Sequence, residues 1–219
     1  MLKAVLFDMD GVIVDTEPLH HKAYNMMFET FNIDVSDSLY QSFTGKSTID
    51  TCRSLCSHFS LNDDPELLVK QKRENFAHLF FNDSGLQLID GVLDLIKDYH
   101  KNGLTLVLAS SASMFTIKSV FDRFDLDQYF VDKLSGADLK ASKPHPEIFE
   151  KAAKSSGFKR NECIVIEDST NGIKAANKAG IYCIGFDSKH SKNQDYTLAN
   201  KVISDFESIS FEKIRTILN

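Results

Sequence analysis

The sequence has no tryptophan, four prolines and four cysteines in 219 residues. With tryptophan missing, the aromatic mass falls on 17 phenylalanines, which read as core packing. The cysteines stand at 52, 56, 163 and 183, without nearby histidine or further cysteine at ligand spacing, which argues against a thiolate metal site. Cys163 and Cys183 lie in apolar runs and read as buried thiols, and Cys52 and Cys56, four apart, read as packing on one helix face. Basic charge is not in excess. The net charge of −6 weighs against a nucleic-acid backbone as main partner, and it means that an anionic ligand must be held by a local cluster of donors and metal. The apolar run at 4–7 is broken by Asp8 and Asp10 and is far too short to span a bilayer. The first residues also lack the charged, apolar and small-residue succession of a signal peptide. The expectation is a cytoplasmic protein in a reducing compartment, with no membrane partner.

Hydrophobic residues make up 42%, enough to bury a core. The length suits one large domain, or a core domain carrying a smaller insertion. Short apolar runs at 3–7, 104–110, 163–168 and 181–186 read as buried parallel strands, with a weaker candidate at 201–204. Helical patterns lie between them, at 92–102, 115–124, 146–156 and 171–179, and Gly103 and Gly180 stand where helices stop. Alternating strand and helix predicts a Rossmann-like α/β core, a doubly wound parallel sheet with helices on both faces. Between 15 and 82 the pattern changes. No strand run appears there, and 20–31, 49–59 and 64–81 read as helices. The expected organisation is therefore an α/β core of 1–14 and 83–219 with an inserted all-helical domain at 15–82. No internal repeat and no low-complexity segment appears.

In open α/β sheets, ligands bind beyond the carboxyl ends of the strands. The polar residues at those ends are Asp8 and Asp10, Ser110, and Glu167 and Asp168. Asp8 and Asp10 stand one residue apart after a buried strand, where their repulsion is worsened by desolvation. A cation between them relieves it, and oxygen-only ligands favour a hard ion such as Mg²⁺. One such aspartate reads as a turn cap, but four acids at two strand ends point to a site. Ser110, with Ser111 beside it, can bind phosphate oxygens or cap a helix, and the two readings are compatible. Lys143, held by Pro144, either offsets the acid cluster or is a solvated lysine.

These pieces arrive in a known order. Phe7-Asp8-Met9-Asp10-Gly11-Val12, then Ser110, then Lys143-Pro144, then Ile166-Glu167-Asp168-Ser169 resembles the haloacid dehalogenase (HAD) superfamily, with 15–82 similar to a helical cap of its C1 type. Asp15-Thr16-Glu17-Pro18-Leu19-His20 and the segment 166–173 are typical of its β-phosphoglucomutase and sugar-phosphate phosphatase subfamily. The resemblance implies that Asp8 attacks phosphorus to form an aspartyl-phosphate, and that Asp10 is general acid and then base. It implies that Ser110 and Lys143 hold the phosphoryl group. Mg²⁺ would be bound by Asp8, Asp10 through its carbonyl, Asp168, and Glu167 directly or through water. Asp10 argues against dehalogenation, because a halide needs no proton and an ester leaving group does.

The sequence departs from the mutases in the helical insertion. The loop Phe43-Thr44-Gly45-Lys46-Ser47-Thr48 resembles their specificity loop, but Thr48 stands where an arginine usually grips the distal phosphate. Ser113 and Met114 replace a Lys-Asn pair, and Asp90-Gly91 stands where relatives carry Pro-Gly. His20 matches a position of proton control in the mutase, or is a helix-surface histidine. Lys46 can replace the missing arginine as a point charge. Lys72 matches a cap lysine, or belongs to a solvated face in Lys70-Gln71-Lys72-Arg73. The implied function is Mg²⁺-dependent hydrolysis of a small phosphomonoester, such as a sugar phosphate, by a monomer. His20, Gly45, Lys46, Ser47, Thr48, Lys72 and Ser111 are expected around the substrate. The alternatives are a β-phosphoglucomutase-like isomerase, an inorganic pyrophosphatase and a silent phospho-ligand binding protein.

Overall fold

The computed structural model describes residues 1–43, 46–187, 189 and 193–217. Six parallel strands, β1 (Ala4–Phe7), β2 (Thr105–Ser110), β3 (Phe130–Ser135), β4 (Cys163–Glu167), β5 (Tyr182–Phe186) and β6 (Lys201–Ile203), form one sheet in the order β3-β2-β1-β4-β5-β6. Five of the six coincide with apolar runs of the sequence. Their alternate residues supply two different cores, because successive side chains of a strand point to opposite faces. Val5, Phe7, Leu106, Leu108, Ile164 and Ile166 pack on one side, while Ala4, Leu6, Val107, Ala109, Cys163 and Val165 pack on the other. The first side is covered by α5 (Val92–Lys101), α6 (Met114–Phe124) and α9 (Phe211–Ile217), and the second by α7 (Glu147–Ser156) and α8 (Thr170–Ala179). Burial on both faces is why these strands read as continuous apolar runs.

Strand β3 has no such run. It sits at the sheet edge with only Phe130 and Ser135 buried, and Val131, Asp132 and Lys133 between them carry the partly solvated edge. The chain between β1 and β2 is helical: α1 (Glu17–Thr30), α2 (Asp37–Gln41), α3 (Thr48–Phe59) and α4 (Pro65–Asn82). Tyr24, Met27, Phe28, Cys52, Leu55, Leu68 and Val69 form a cluster of their own there. Leu19 and Ala23 of α1 and Phe76 and Phe80 of α4 belong instead to the core under the sheet. The helical block is thus packed onto the α/β part at one end and closed on itself at the other.

Two connecting segments join the parts, and they pair. Val14 bridges Leu88 antiparallel, and Ile89 N–H donates to Ile13 O at 3.0 Å. Arg123 of α6 anchors the second segment. Its guanidinium donates to Phe80 O (2.9 Å), Asp83 O (2.6 Å) and Leu86 O (3.5 Å), satisfying carbonyls that the end of α4 leaves without helical partners. Among the described residues, no helix is long and apolar enough to cross a membrane. Replacing Arg123 by Leu keeps stem packing on Phe80 but strands those carbonyls, so a loss of about 2 kcal/mol in unfolding free energy is expected. Urea denaturation measures it. Arg123→Lys should recover little, because one ammonium lacks the fork that spans the carbonyls of Phe80 and Asp83.

Candidate active site

The carboxyl ends of β1, β2 and β4 open onto one cavity of about 110 Å³, roofed by α1, α3 and α4. Asp8 follows β1 directly, and its N–H donates to Ile166 O at 3.0 Å, which fixes it beside the end of β4. Gly11 has φ +84°, a left-handed conformation that a side chain would strain, and its N–H donates to Val14 O. That turn brings Asp10 back over the cavity. Lys143 reaches in from the loop before α7, and its peptide to Pro144 is cis.

Lys143 is buried, and its ammonium donates to Asp8 Oδ1 (2.5 Å), Glu167 Oε1 (2.8 Å) and Ala109 O (2.9 Å). Burial alone lowers a lysine pKa, but here Asp8 and Glu167 outweigh it and hold the ammonium charged. Burial pushes the Asp8 carboxyl up to about 8. Lys143 opposes that rise, and Glu167 and Asp10 add to it. Asp10 lies in a different environment. Burial raises it too, but His20, Thr16 and Lys72 together hold it below the usual carboxylate range. Thr16 precedes α1 and gives its hydroxyl to Asp10 Oδ1 instead of capping the helix. His20 Nε2 stands 3.5 Å from the same oxygen.

His20 is not a surface histidine. It stacks on Phe76 (4.3 Å, 16°), and its Nδ1 accepts from Lys72 Nζ at 2.7 Å, which leaves the ring proton on Nε2, facing Asp10. Burial, reinforced by Lys72, lowers the His20 pKa against the pull of Asp10. Lys72 is likewise no solvated lysine. It is 4% exposed, and its ammonium lies over Tyr24 (4.9 Å) and Phe76 (5.0 Å). Burial pushes it down to about 8, against Asp10 and Glu17.

Of the residues expected around the substrate, Lys46, Thr48 and Ser111 also line the cavity, as do Glu167 and Asp168. Lys46 lies over Phe43 at 5.3 Å. Ser110 and Ser47 are buried and are not in the wall: the Ser110 hydroxyl accepts from Ala112 N–H (3.0 Å), and Ser47 donates to Asp50 (2.7 Å). Gly45 lies outside the described residues. Ser113 caps α6, accepting from Thr116 N–H. The structure also supplies wall residues that the sequence reading passed over. Glu17 accepts from the Tyr40 hydroxyl at 3.0 Å, and both face the cavity with Tyr24. Burial pushes Glu17 up to about 7, partly offset by Tyr40.

Glu167 has both oxygens engaged. Oε1 accepts from Lys143, and Oε2 accepts from Ser169 N–H (2.7 Å) and its hydroxyl (3.0 Å). Gly172, in the first turn of α8, lets this happen: a Cβ there would stand 1.6 Å from Glu167 Oε1. Among the described residues, no group of three His, Cys, Asp or Glu side chains forms a metal cage by itself.

The haloacid dehalogenase-like hydrolase family model matches residues 5–186. A phosphorylated carbohydrates phosphatase of Thermotoga maritima is 28% identical over 218 residues, covering 100% of this chain and 97% of that one. A validoxylamine A 7'-phosphate phosphatase of Streptomyces hygroscopicus is 26% identical over 87% of this chain and 88% of its own. Among solved structures, a β-phosphoglucomutase from Clostridium difficile superposes with a TM-score of 0.86 at 26% identity, over 100% of this chain and 98% of that one. The chain belongs to the haloacid dehalogenase-like hydrolases, and within them it is an enzyme of the phosphatase kind.

Gly172→Ala tests the packing at Glu167. The new methyl displaces that carboxylate from Lys143, so a loss of about 3 kcal/mol in stability is expected, with a collapse of any phosphate-releasing activity. Thermal unfolding and a phosphate-release assay read the two effects; a variant with wild-type values in both would contradict the contact.

Proposed function

We propose that the protein is a Mg²⁺-dependent hydrolase of a small phosphomonoester, with Asp8 as nucleophile. The observation that carries this reading is that Asp8 and Asp10 face one roofed cavity in unlike settings. Asp8 is aimed and charge-compensated by Lys143, and its carboxylate attacks phosphorus to form an aspartyl-phosphate as the ester oxygen leaves. Asp10 gives that oxygen its proton and later takes one from the water that hydrolyses the adduct. The Lys72–His20 pair behind Asp10 tunes and orients that carboxyl. Ser110, Ser111 and Lys143 hold the phosphoryl oxygens, Ser110 by shaping the loop that presents Ser111.

The donor set fits a hard cation. Three buried carboxylates, Asp8, Glu167 and Asp168, with Asp10 beside them, stand against two buried ammoniums, Lys143 and Lys72, and the excess negative charge is at the cavity wall. Mg²⁺ typically needs only one or two carboxylates, with waters and a phosphate completing its shell, so a full protein cage is not required. Asp8, the Asp10 carbonyl and Asp168 would hold it, with Glu167, already committed to Lys143 and Ser169, acting through water. Bound there, Mg²⁺ would supply positive charge to offset the negative charge on the phosphoryl oxygens.

We take residues 15–82 as the cap that closes over this site and 1–14 with 83–219 as the core. The described cap wall has lysines at 46 and 72 but no arginine, and it adds the Glu17 carboxylate and Tyr40 hydroxyl. A carboxylate at that end suits substrate hydroxyls and repels a second phosphate, which favours hydrolysis of a sugar monophosphate over mutase chemistry. The names of the Thermotoga and Streptomyces relatives, both phosphatases, agree with that substrate class.

Phosphate release from sugar phosphates, nucleotides and pyrophosphate, beside a coupled assay for conversion of β-glucose 1-phosphate to glucose 6-phosphate, decides the reading. Phosphate without isomerisation is expected, abolished by EDTA and restored by Mg²⁺. Asp8→Asn should lower kcat by about a thousandfold or more. Asp10→Asn should cost about 10²–10⁴-fold with a sugar phosphate and clearly less with p-nitrophenyl phosphate, whose leaving group needs no proton. Equal losses on both substrates would remove Asp10 from the acid role, and isomerisation with little phosphate release would make the protein a mutase.

A further inference from the structure

We propose that Asp50 is a positioning residue that latches the helical cap onto the loop carrying Lys143. The proposal rests on the phosphatase reading above, to which it adds how closure and the site are coupled. Asp50 lies in the first turn of α3, on the cap, and its carboxylate oxygen Oδ2 accepts from Ser142 Oγ, on the core. The same oxygen accepts from Ser47 Oγ at 2.7 Å, while Ser47 accepts from Asp50 N–H and so begins α3. One carboxylate therefore fixes the start of α3, next to the cavity residues Lys46 and Thr48, and reaches across to the core.

The core partner is not an arbitrary surface serine. Ser142 immediately precedes Lys143, whose ammonium holds Asp8 and Glu167. Its carbonyl accepts from His145 N–H (2.9 Å), and Lys178 Nζ of α8 donates to Pro144 O (3.2 Å), so the loop is fastened to the core on one side and to the cap on the other. Arg53 is 3.6 Å from the other Asp50 oxygen but 64% exposed, so its charge is mostly screened. Another described side-chain tie between α2 and the core, Asn193 to Gln41 (3.0 Å), joins exposed neutral amides. The Asp50–Ser142 bond has a charged acceptor and spans cap and core, so lifting the cap would break it. Closure thus aligns Thr48 and Lys46 over the substrate in the same step that braces the Lys143 loop, and opening releases both.

A double-mutant cycle on Asp50→Asn and Ser142→Ala tests this, with kcat/KM for the best phosphomonoester of the screen as readout. Each single variant should lose about five- to tenfold, and the double variant no more than either alone. Ser142→Thr, which keeps the hydroxyl, should recover most of the loss. Additive losses, or a Ser142→Ala variant with wild-type kcat/KM, would reduce Asp50 to a helix cap and overturn the proposal. Amide hydrogen exchange of the free protein gives a second readout that needs no turnover. Faster exchange at 46–52 and 139–145 in Ser142→Ala, with 92–110 unchanged, supports the latch even if no phosphoester is cleaved. Unchanged exchange in both segments sinks it even in an active phosphatase.

Discussion

The ammonium of Lys143 has three donors, and each goes to a different strand. Asp8 follows β1, Ala109 lies in β2 and Glu167 ends β4, so a single buried cation ties together the carboxyl ends of three adjacent strands. Removing either carboxylate partner would leave charge buried without compensation, a costly state in a low-dielectric interior. The rest of the site is arranged around this constraint. Glu167 must turn toward Lys143, which requires Gly172 to have no side chain, and its other oxygen then ties down Ser169 at the start of α8. The strand order sets the distance over which one lysine can make all three contacts. The fold and the charge balance of the site are therefore one problem with one solution.

The helical block is joined to that solution by packing as well as by chain connection. Leu19, Ala23, Phe76 and Phe80 belong to the core under the sheet, whereas Met27, Leu55 and Leu68 form a cluster that touches it less. His20 stacks on Phe76 of the first cluster and the Lys72 ammonium lies over the same ring, whereas Tyr40 packs against the second cluster, so the cavity wall draws on both ends of the helical block.

Much of this was legible in the sequence where burial is symmetrical. Strands covered on both faces leave continuous apolar runs, and β1, β2, β4, β5 and β6 were read from them; β3, with Val131, Asp132 and Lys133 on a partly solvated edge, left none. Asp8, Asp10, Glu167 and Asp168 were readable because strand ends converge, whereas Lys143, in a loop, was equally readable as a solvated lysine and only the family resemblance assigned it to the site. The helical block was harder, since helices from distant segments meet only in three dimensions. Lys72 was readable either as a lysine facing the substrate or as part of a solvated face beside Lys70 and Arg73, and Leu68, Phe76 and Phe80, at four-residue steps from it, mark the stripe that faces inward. That spacing was a usable signal. Glu17 offered a weaker one: an acid in the first turn of a helix is ordinary, and only the return of α2 brings Tyr40 to it, 23 residues away. Ser110 is a strand-end hydroxyl whose oxygen accepts from Ala112 N–H, a bond compatible with the hydroxyl also donating to a phosphate oxygen.

The two aspartates after β1 show how little separation such a site needs. Asp8 and Asp10 share a turn, and burial acts on both in the same direction. What divides them is the company each keeps. Asp8 has one lysine, itself shared with Glu167, and stays pushed up. Asp10 has the Thr16 hydroxyl, the Nε2 proton of His20 and the Lys72 charge behind it, and is pulled down. Those shifts run against the proposed roles, a nucleophile needing to be ionised and an acid protonated, and a cation bound beside Asp8 would draw its carboxyl down. The intervening Met9 is buried, so the alternation of the chain alone sends the two acids to the same side while Gly11 turns the second away from the sheet and under the helices. What sets Asp10 apart from Asp8 is therefore where the helical block places Thr16, His20 and Lys72, so that block shapes the electrostatics of the cavity as well as roofing it.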